Sequence, residues 1–423
     1  MFRTMGHATT VRSRKPGFGG FVKPAAGRRV VLGIDVPLLL LVITLLIFGL
    51  LMLYSASYDY SLVIYGDSAR IFTRQLLWLG IGVVGAAILI VMDYHRLQKF
   101  AVLMMGVTVV ALVGVLIVNE VRNNAVRTLL GGSIQPSEMA KLVTIIYLAV
   151  WTYAKRDQLS DVSFGLIPLA AILGVLGGLI FVQPDLSAVL TILFLGGVMF
   201  FLAGGDLRQI GILVIVALLV GWLVVQINIT GGERVHDYLA GVKDPTQASY
   251  HVRRSLEAFV KGQWFGLGIG KSETKLTGLP VPPTDSIFAV IGEETGVLGA
   301  TAVISLYGLL LWRGLVIARR APDGLGALLA AGLSLWIALE AFVNMAVMVN
   351  LLPFAGNALP FISAGGSNLV VTLAAIGILL NISRASAQSQ EEHGRTFSAV
   401  IDLRRRDRRR SVSSPGRFTD FKG

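Results

Sequence analysis

The residues of this chain that could do chemistry fall in short clusters beside long apolar runs. The sharpest cluster is Pro280-Val281-Pro282-Pro283-Thr284-Asp285-Ser286. Its prolines stiffen the backbone, and Thr284 is a candidate cap for the helix expected next. Asp285 stands at the mouth of an apolar stretch, Ser286–Ile291. A carboxylate placed there can take a proton from a hydroxyl group. Two forces act on it in opposite senses. A helix N-terminus favours the anion and weakens it as a base, whereas burial beside lipid strengthens it. The alternative is that Asp285 is an end cap and nothing more.

Gln135-Pro136-Ser137-Glu138, followed by Lys141, reads as a helix start. Gln135 takes the cap position, Pro136 the first helical position, and Glu138 the place of a capping-box acid. Either Glu138 caps backbone N–H groups and pairs with Lys141, or both line a polar cavity. A local cap does not explain a lysine one turn further in, which favours the cavity. Gln183-Pro184-Asp185 repeats the logic, and for Asp185 the cap and the cavity stand level. Glu293-Glu294 is a like-charged pair, so at least one member should face solvent or meet a cation. Residues 352–367 are rigid and then flexible, with prolines at 353 and 360 and glycines at 356, 365 and 366. That pattern reads as a re-entrant loop, tolerated only where it lines a cavity or packs on protein. Gly266-Leu267-Gly268-Ile269-Gly270-Lys271-Ser272 imitates a phosphate loop. The first glycine that such a loop requires is here Phe265, and no strand precedes it. Its glycines read instead as a tight chain path, with Lys271 available to an anionic headgroup.

A membrane bundle must position these groups. The 423 residues are 54% hydrophobic and 15% charged, with a mean hydropathy of +0.72, against about 25% charged for soluble domains. Runs such as 209–232 contain no Asp, Glu, Lys or Arg, long enough to cross a ~30 Å hydrocarbon core as a helix. The fold class is therefore an all-α polytopic membrane protein. Its expected spans are Ile34–Tyr54, Arg74–Met92, Phe100–Val118, Pro136–Tyr153, Phe164–Val182, Leu186–Ala203, Ile210–Ile229, Gly296–Arg313, Leu325–Val349 and Asn368–Ser383. Ten spans put both tails on one side, and Lys155-Arg156, Arg208 and Arg319-Arg320 in the short connections mark that side as cytoplasmic.

The chain then divides into a basic tail (1–33), a ten-helix domain (34–383) whose long outer loop is 230–294, and a second basic tail (384–423) that reads as disordered. The apolar run after the first tail lacks a small-residue cleavage signal and reads as a retained span. The tails carry +7 and +5, the whole of the net +12. That balance fits cytoplasmic tails touching anionic lipids, not nucleic acid. Glu138, Lys141 and Glu340 fall within expected spans, where ionisable groups serve function or form a buried pair. Residues 250–260 read as an amphipathic helix lying in the outer interface, with Val252, Leu256 and Phe259 on its apolar face. With no cysteine, disulfides, thiolate catalysis and Cys-ligated metals are excluded. No internal repeat suggests an inverted-repeat transporter.

Several motifs, in order, resemble the SEDS family (shape, elongation, division and sporulation proteins, the FtsW/RodA/SpoVE group) over Asp35 to Ile382. They are Tyr54-Ser-Ala-Ser57, Gln135-Pro-Ser-Glu138 with Lys141, Gln183-Pro-Asp185, Ser255-Leu256, Gly266-Leu-Gly268, Thr284-Asp285 with Ile287-Phe-Ala-Val-Ile-Gly-Glu-Glu294, and Leu359-Pro-Phe-Ile-Ser363 with Gly365-Gly366-Ser367. The resemblance implies a peptidoglycan glycosyltransferase of the bacterial inner membrane. It would polymerise lipid II, a lipid-linked disaccharide-pentapeptide, and release undecaprenyl diphosphate. Its implied partners are a class B penicillin-binding protein (a transpeptidase) and other membrane proteins of the division or elongation machinery. Asp285 falls on the family's essential aspartate, Glu138, Lys141 and Asp185 on its cavity residues, and Arg127 on an outer-loop arginine.

The chain departs from the family pattern at several places. Val281-Pro282-Pro283 replaces a frequent Glu-Ala-His, which removes a histidine beside Asp285. Val126-Arg127-Thr128 replaces a double arginine and tryptophan, His251 and Arg254 replace glutamines, and Ala364 replaces a tyrosine. In this reading Arg127, Arg253, Arg254, Lys271 and Lys141 are the cations available to the leaving diphosphate. Ser363 contacts substrate, and Asp285 is the base for the acceptor's 4-hydroxyl. A divalent cation, Mg2+ or Mn2+, could assist, but the carboxylates alone do not establish one, and no other cofactor is expected. Tyr65-Gly66-Asp67 before Arg74-Gln75-Leu76, with the two basic tails, favours the division type over the elongation type. Two readings from other classes compete. A carrier that flips the lipid precursor is disfavoured by polar chemistry gathered on one membrane face. A non-enzymatic scaffold would not need Asp285 beside apolar helices.

Overall fold

The computed structural model describes residues 33–118, 135–227 and 229–408. Arg127 lies outside them. Twelve α-helices run through the described chain: α1 Val36–Tyr65, α2 Arg70–Val91, α3 His95–Val118, α4 Pro136–Ala154, α5 Ile167–Val182, α6 Leu186–Leu202, α7 Leu207–Ile227, α8 Ile229–Lys243, α9 Tyr250–Gly262, α10 Ile287–Arg320, α11 Gly324–Met348 and α12 Gly366–Arg408. Seven helical segments are long and apolar enough to cross a membrane. They lie on α1, α2, α3, α5, α10, α11 and α12. The apolar stretches of α6 and α7 are shorter, and α4 opens with Glu138 and Lys141. The protein is thus an all-α polytopic membrane protein.

Local sequence explains where the helices start. Asp35 caps α1 through Leu38 N (3.0 Å), with a proline in the first turn. Asp323 caps α11 through Gly326 N (2.6 Å). Each satisfies a backbone donor that helix geometry leaves open. α11 and the membrane part of α12 are the inner helices, 72% buried within the protein, whereas α2 is 17% buried. α11 packs on α10, α4, α6 and α12, so a polar group on it sits at the centre of the bundle.

One end of the bundle is tied by charges. Arg313 of α10 forks onto Asp35 (2.8 and 2.7 Å). The Tyr94 hydroxyl and His95 Nε2 converge on Asp323 (2.8 and 2.6 Å). Burial opposes ionisation of Asp323, but the Gly326 N–H, the Tyr94 hydroxyl and His95 outweigh it and hold its carboxyl below the usual range.

Three expectations change here. The region from residue 384 is helical as far as Arg408, because α12 continues through a run of good helix formers such as Ala387, Gln388, Gln390, Glu391 and Glu392. The face of α9 that carries Val252 packs on protein. Val252, Ser255, Ala258 and Gly262 are buried where α9 packs on α10 and α11, Ser255 Oγ meets Met348 Sδ (3.2 Å), and Phe259 packs on Phe288 (5.5 Å). The helix start expected at Ser286 is followed by a break: Gly296 has φ 70° and ψ −174° and divides α10 in two.

Candidate active site

The segment between α11 and α12 organises the other end of the bundle. Its backbone is held largely by side chains of other elements. Gln75 of α2 donates to Ser363 O (3.1 Å) and accepts from Gly365 N (3.2 Å). The Tyr307 hydroxyl donates to Pro360 O. Ser363 Oγ accepts from Leu359 N (2.8 Å) and donates to Thr284 O (2.7 Å), while Ala364 N donates to Pro283 O (2.8 Å). The segment therefore grips the backbone on the N-terminal side of Asp285. Asn344 of α11 grips the other side, donating to Asp285 O (3.0 Å) and to Asn357 O (2.5 Å).

Asp285 is half-buried, one residue before the Ser286 N-cap of α10. Its Oδ2 lies 3.0 Å from where a Cβ on Gly356 would stand. Glycine leaves the room that the carboxylate uses. Thr284 does not cap α10. Its N–H and hydroxyl both return to Val281 O (3.2 and 3.3 Å), closing a turn that Val281 starts at φ 43°.

The same segment reaches two buried carboxylate groups as it enters α12. Asn368 donates to Glu138 Oε2 (2.9 Å) and Glu340 Oε2 (3.4 Å). Lys141 Nζ lies 2.8 Å from Glu138 Oε1 and also bonds Glu340 Oε1. All four side chains are buried, so the lysine and the glutamate flagged in separate spans are partners. Glu138 does not act as a capping-box acid, because its carboxylate is taken by Lys141 and Asn368. Gln135 makes no side-chain cap bond either; it donates to Asp185 Oδ2 (3.1 Å). Asp185 caps a helix and also bonds a neighbouring one. Oδ1 caps α6 through Ala188 N (3.3 Å), and Oδ2 accepts from Ser137 Oγ (3.0 Å). Ser367 Oγ, accepting from Gln135 N (3.3 Å), joins this group to the start of α12.

The loop that imitates a phosphate loop binds anions that belong to the protein itself. Gly266, Gly268 and Gly270 have φ of 78°, 102° and 86°, which turns successive N–H groups inward as an anion nest. Gly270 N and Ser272 N donate to the Glu294 carboxylate (2.9 and 3.4 Å). Glu273 N and Thr274 N donate to Glu293 Oε1 (3.1 and 3.2 Å). Lys275 Nζ meets Glu294 Oε1 (2.9 Å), and Ser55 Oγ of α1 donates to the same oxygen (2.6 Å). Of the two outcomes expected for the pair, solvent or a cation, Glu294 takes the cation, Lys275; both glutamates are buried, because backbone donors and Lys275 compensate the charge that water would otherwise solvate.

The remaining cations divide. Arg254 is committed to Glu257 and to Thr277 O (2.6 Å). Arg253 lies over the Tyr250 ring (5.6 Å), and Lys271 is exposed on the nest loop. Arg234 of α8, which the sequence reading passed over, stands 5.7 Å over Phe354, two residues from Gly356. His251 stacks on the same ring (4.3 Å). Burial first, and the Arg234 charge second, hold the His251 imidazole below its ordinary pKa. Gln75, Asn344, Lys275 and Asn368 were likewise missed. For the three amides the available signal was a polar group inside or beside an otherwise apolar segment; Lys275, in the polar run 271–277, gave none. Among the described residues no group of three or more His, Asp or Glu is placed to hold a metal ion.

The sequence profile of the cell cycle protein family FtsW/RodA/SpoVE matches residues 36–388. The chain is 39% identical over 354 residues to a probable peptidoglycan glycosyltransferase FtsW of Trichlorobacter lovleyi, covering 82% of this chain and 93% of that one. It is 37% identical over 357 residues to stage V sporulation protein E of Bacillus subtilis, covering 82% and 97%. Its fold is similar to a chain solved in work on the structural coordination of polymerization and crosslinking by a peptidoglycan synthase complex, with a TM-score of 0.70, 28% identity and coverage of 84% and 98%. The rod shape determining protein RodA of Thermus thermophilus gives a TM-score of 0.62 at 27% identity, covering 84% and 98%. A profile match across most of the chain, relatives of this identity and the shared fold lead to one conclusion: the chain belongs to the FtsW/RodA/SpoVE family of cell cycle proteins.

Proposed function

We propose that this chain is a peptidoglycan glycosyltransferase that polymerises lipid II into glycan strands. The observation that carries the reading is the α11–α12 segment, which gathers Asp285, Asp185 and the Glu138–Lys141–Glu340 group at one end of the bundle. In the reaction the acceptor's 4-hydroxyl oxygen attacks the donor's anomeric carbon. The bond from that carbon to the diphosphate oxygen breaks, and its electron pair leaves with the diphosphate. The hydroxyl proton passes to the Asp285 carboxylate. Arg127, Arg234, Arg253 and Lys271 are the cations suited to the departing charge. Lys141 and Arg254 are bound to carboxylates, which makes them positioning residues. Ser363, with its hydroxyl spent on Leu359 N and Thr284 O, positions Asp285 through the backbone. The described residues do not build a cage for a resident divalent cation. Such an ion takes most of its ligands from diphosphate and water, and no step here runs through it.

Purified protein, supplied with lipid II and its transpeptidase partner, is expected to form glycan that resists penicillin, since a β-lactam acylates the transpeptidase and not this chain. Movement of precursor between leaflets with no polymer would support the carrier instead.

The finer arrangement has ten spans, with α4, α6 and α7 joining the seven long apolar helices. Both termini are cytoplasmic and the site is extracytoplasmic. A reporter after Gln388 should then be cytoplasmic and one near Gly241 outside; the same side for both would contradict it. A class B penicillin-binding protein is the partner, supported by the synthase complex that the fold resembles. Division is the favoured setting, in line with relatives named FtsW. The basic segments 1–33 and 384–423 meet anionic lipids.

Gly356→Val tests the placement of Asp285. Its side chain would enter the space that Oδ2 occupies, 3.0 Å from the Cβ position. A displacement of about 1 Å costs on the order of 10²-fold in rate. Polymerisation should fall by that factor while the elution profile in detergent stays unchanged; full activity would show that Asp285 does not need this room.

A further inference from the structure

The break in α10 is repaired by the chain segment that follows α9. Beyond Gly296, Val297 N donates to Gln263 O (2.8 Å) and Leu298 N to Trp264 O (3.2 Å). Before it, Glu293 O and Glu294 O accept from Leu267 N and Gly268 N (both 3.0 Å). Every bond runs between α10 and residues 263–268, so this segment sits at the depth of the break.

Arg313, paired with Asp35 at the opposite end of the bundle, marks one boundary of the apolar slab. Leu298 is 15 residues before it in the same helix, ~23 Å along the axis at ~1.5 Å per residue. The hydrocarbon core is ~30 Å thick. Trp264, bonded to Leu298, therefore lies inside the far edge of the slab. It is 65% exposed and Phe265 82% exposed, and Val260 and Ile269 beside them are also exposed. Leu298 and Ile304, on the lipid-facing surface of α10, are exposed as well, so the apolar surface is continuous with a face already turned to lipid. Trp312, exposed next to Arg313, marks the other interface of the same helix, as aromatic belts do.

We infer that Val260, Trp264, Phe265 and Ile269 form a wedge inserted into the outer phospholipid leaflet. Aliphatic and aromatic side chains fixed on a glycine-rich, hydrogen-bonded backbone suit acyl chains, and they lose little freedom on insertion because the backbone is already held. The same loop wraps Glu293 and Glu294 and leads into the turn that carries Asp285. The wedge thereby sets the depth of Asp285 relative to the lipid headgroups. This placement stands whether or not Asp285 is the base.

The absence of cysteine makes the test direct. Single-cysteine variants Phe265→Cys and, as a second position, Trp264→Cys are labelled with a nitroxide. The full-length protein is reconstituted in phosphatidylethanolamine–phosphatidylglycerol vesicles. Collision rates with oxygen and with a water-soluble nickel chelate are read by electron paramagnetic resonance. Ile304→Cys supplies the lipid reference and Glu273→Cys, exposed on the same outer segment, the aqueous one. The wedge predicts that positions 264 and 265 share the oxygen-over-nickel ratio of 304. A ratio like that of 273 would overturn it. So would protection from both reagents, which would show a protein surface, from a second copy of the chain, covering the loop.

Discussion

Lys141→Met is expected to unfold much of the protein in mild detergent, the largest stability effect of any single change proposed. Two carboxylates, from Glu138 and Glu340, meet on that one ammonium in the interior of the bundle, and the amide that bonds both of them, Asn368, is neutral. Taking the cation away leaves both anions without a counter-charge. Breaking a buried pair in this way costs about 3–5 kcal/mol, a large part of the ~5–15 kcal/mol typical of a fold. Lys141→Met combined with Glu340→Gln should recover more than half of the loss. The combined change removes one anion and keeps an amide able to bond Asn368, while Glu138 stays near the start of α4, where the helix dipole favours its charge. Melting temperatures and monodisperse fractions of the single and double variants give the coupling. A Lys141→Met protein as stable as the parent would show that the charges are solvated and the group is no closed network.

Much of this architecture was legible in the residues, for a physical reason. Charge-free runs such as 36–58 have one stable solution in lipid, the helix, because every backbone group must be satisfied within it, and α1 covers that run. The prolines and acids that open helices at Pro136 and Asp185 are local signals, and the helices begin there. Partnerships were not legible, since they join residues far apart in sequence. Lys141 and Glu340 were each anomalous in their own span, but only the packing of α4 on α11 makes them a pair. For Glu293 and Glu294 the charge called for solvent or a cation, but nothing in sequence shows that the cation is Lys275 or that a glycine loop supplies N–H donors from residues 270–274. For α9 the periodicity was right and the neighbour wrong. A stripe of apolar and small residues fits lipid or protein equally, and Gly262 and Ser255, small enough to admit close helices, were the sign that it faces protein. Gln75 and Asn344 hold the backbone on either side of Asp285, a role that leaves no local pattern.

The second large effect is on rate. Asp285→Asn keeps the size of the side chain in the room beside Gly356 and removes the proton acceptor. Its backbone carbonyl remains held by Asn344, and its neighbours by Ser363 and Ala364, so folding and partner binding should be unchanged. Loss of a positioned base costs ~10²–10⁴-fold. Asp285→Ala should be equally inactive and equally folded, whereas a cap role predicts a near-active Asn variant and an unstable Ala variant. Asp285→Glu should recover little, because its longer side chain shifts the carboxylate by about 1 Å. The direct measurement follows fluorescent lipid II and the parent or Asp285→Asn protein, each with its transpeptidase partner and penicillin present. Bound precursor and glycan length are read from the same sample. The parent is expected to give a glycan ladder, and Asp285→Asn to bind precursor at the parental level with no ladder. A processive Asp285→Asn protein, forming glycan within about tenfold of the parental rate, lies outside the ~10²-fold minimum loss of a base and would contradict that role for Asp285.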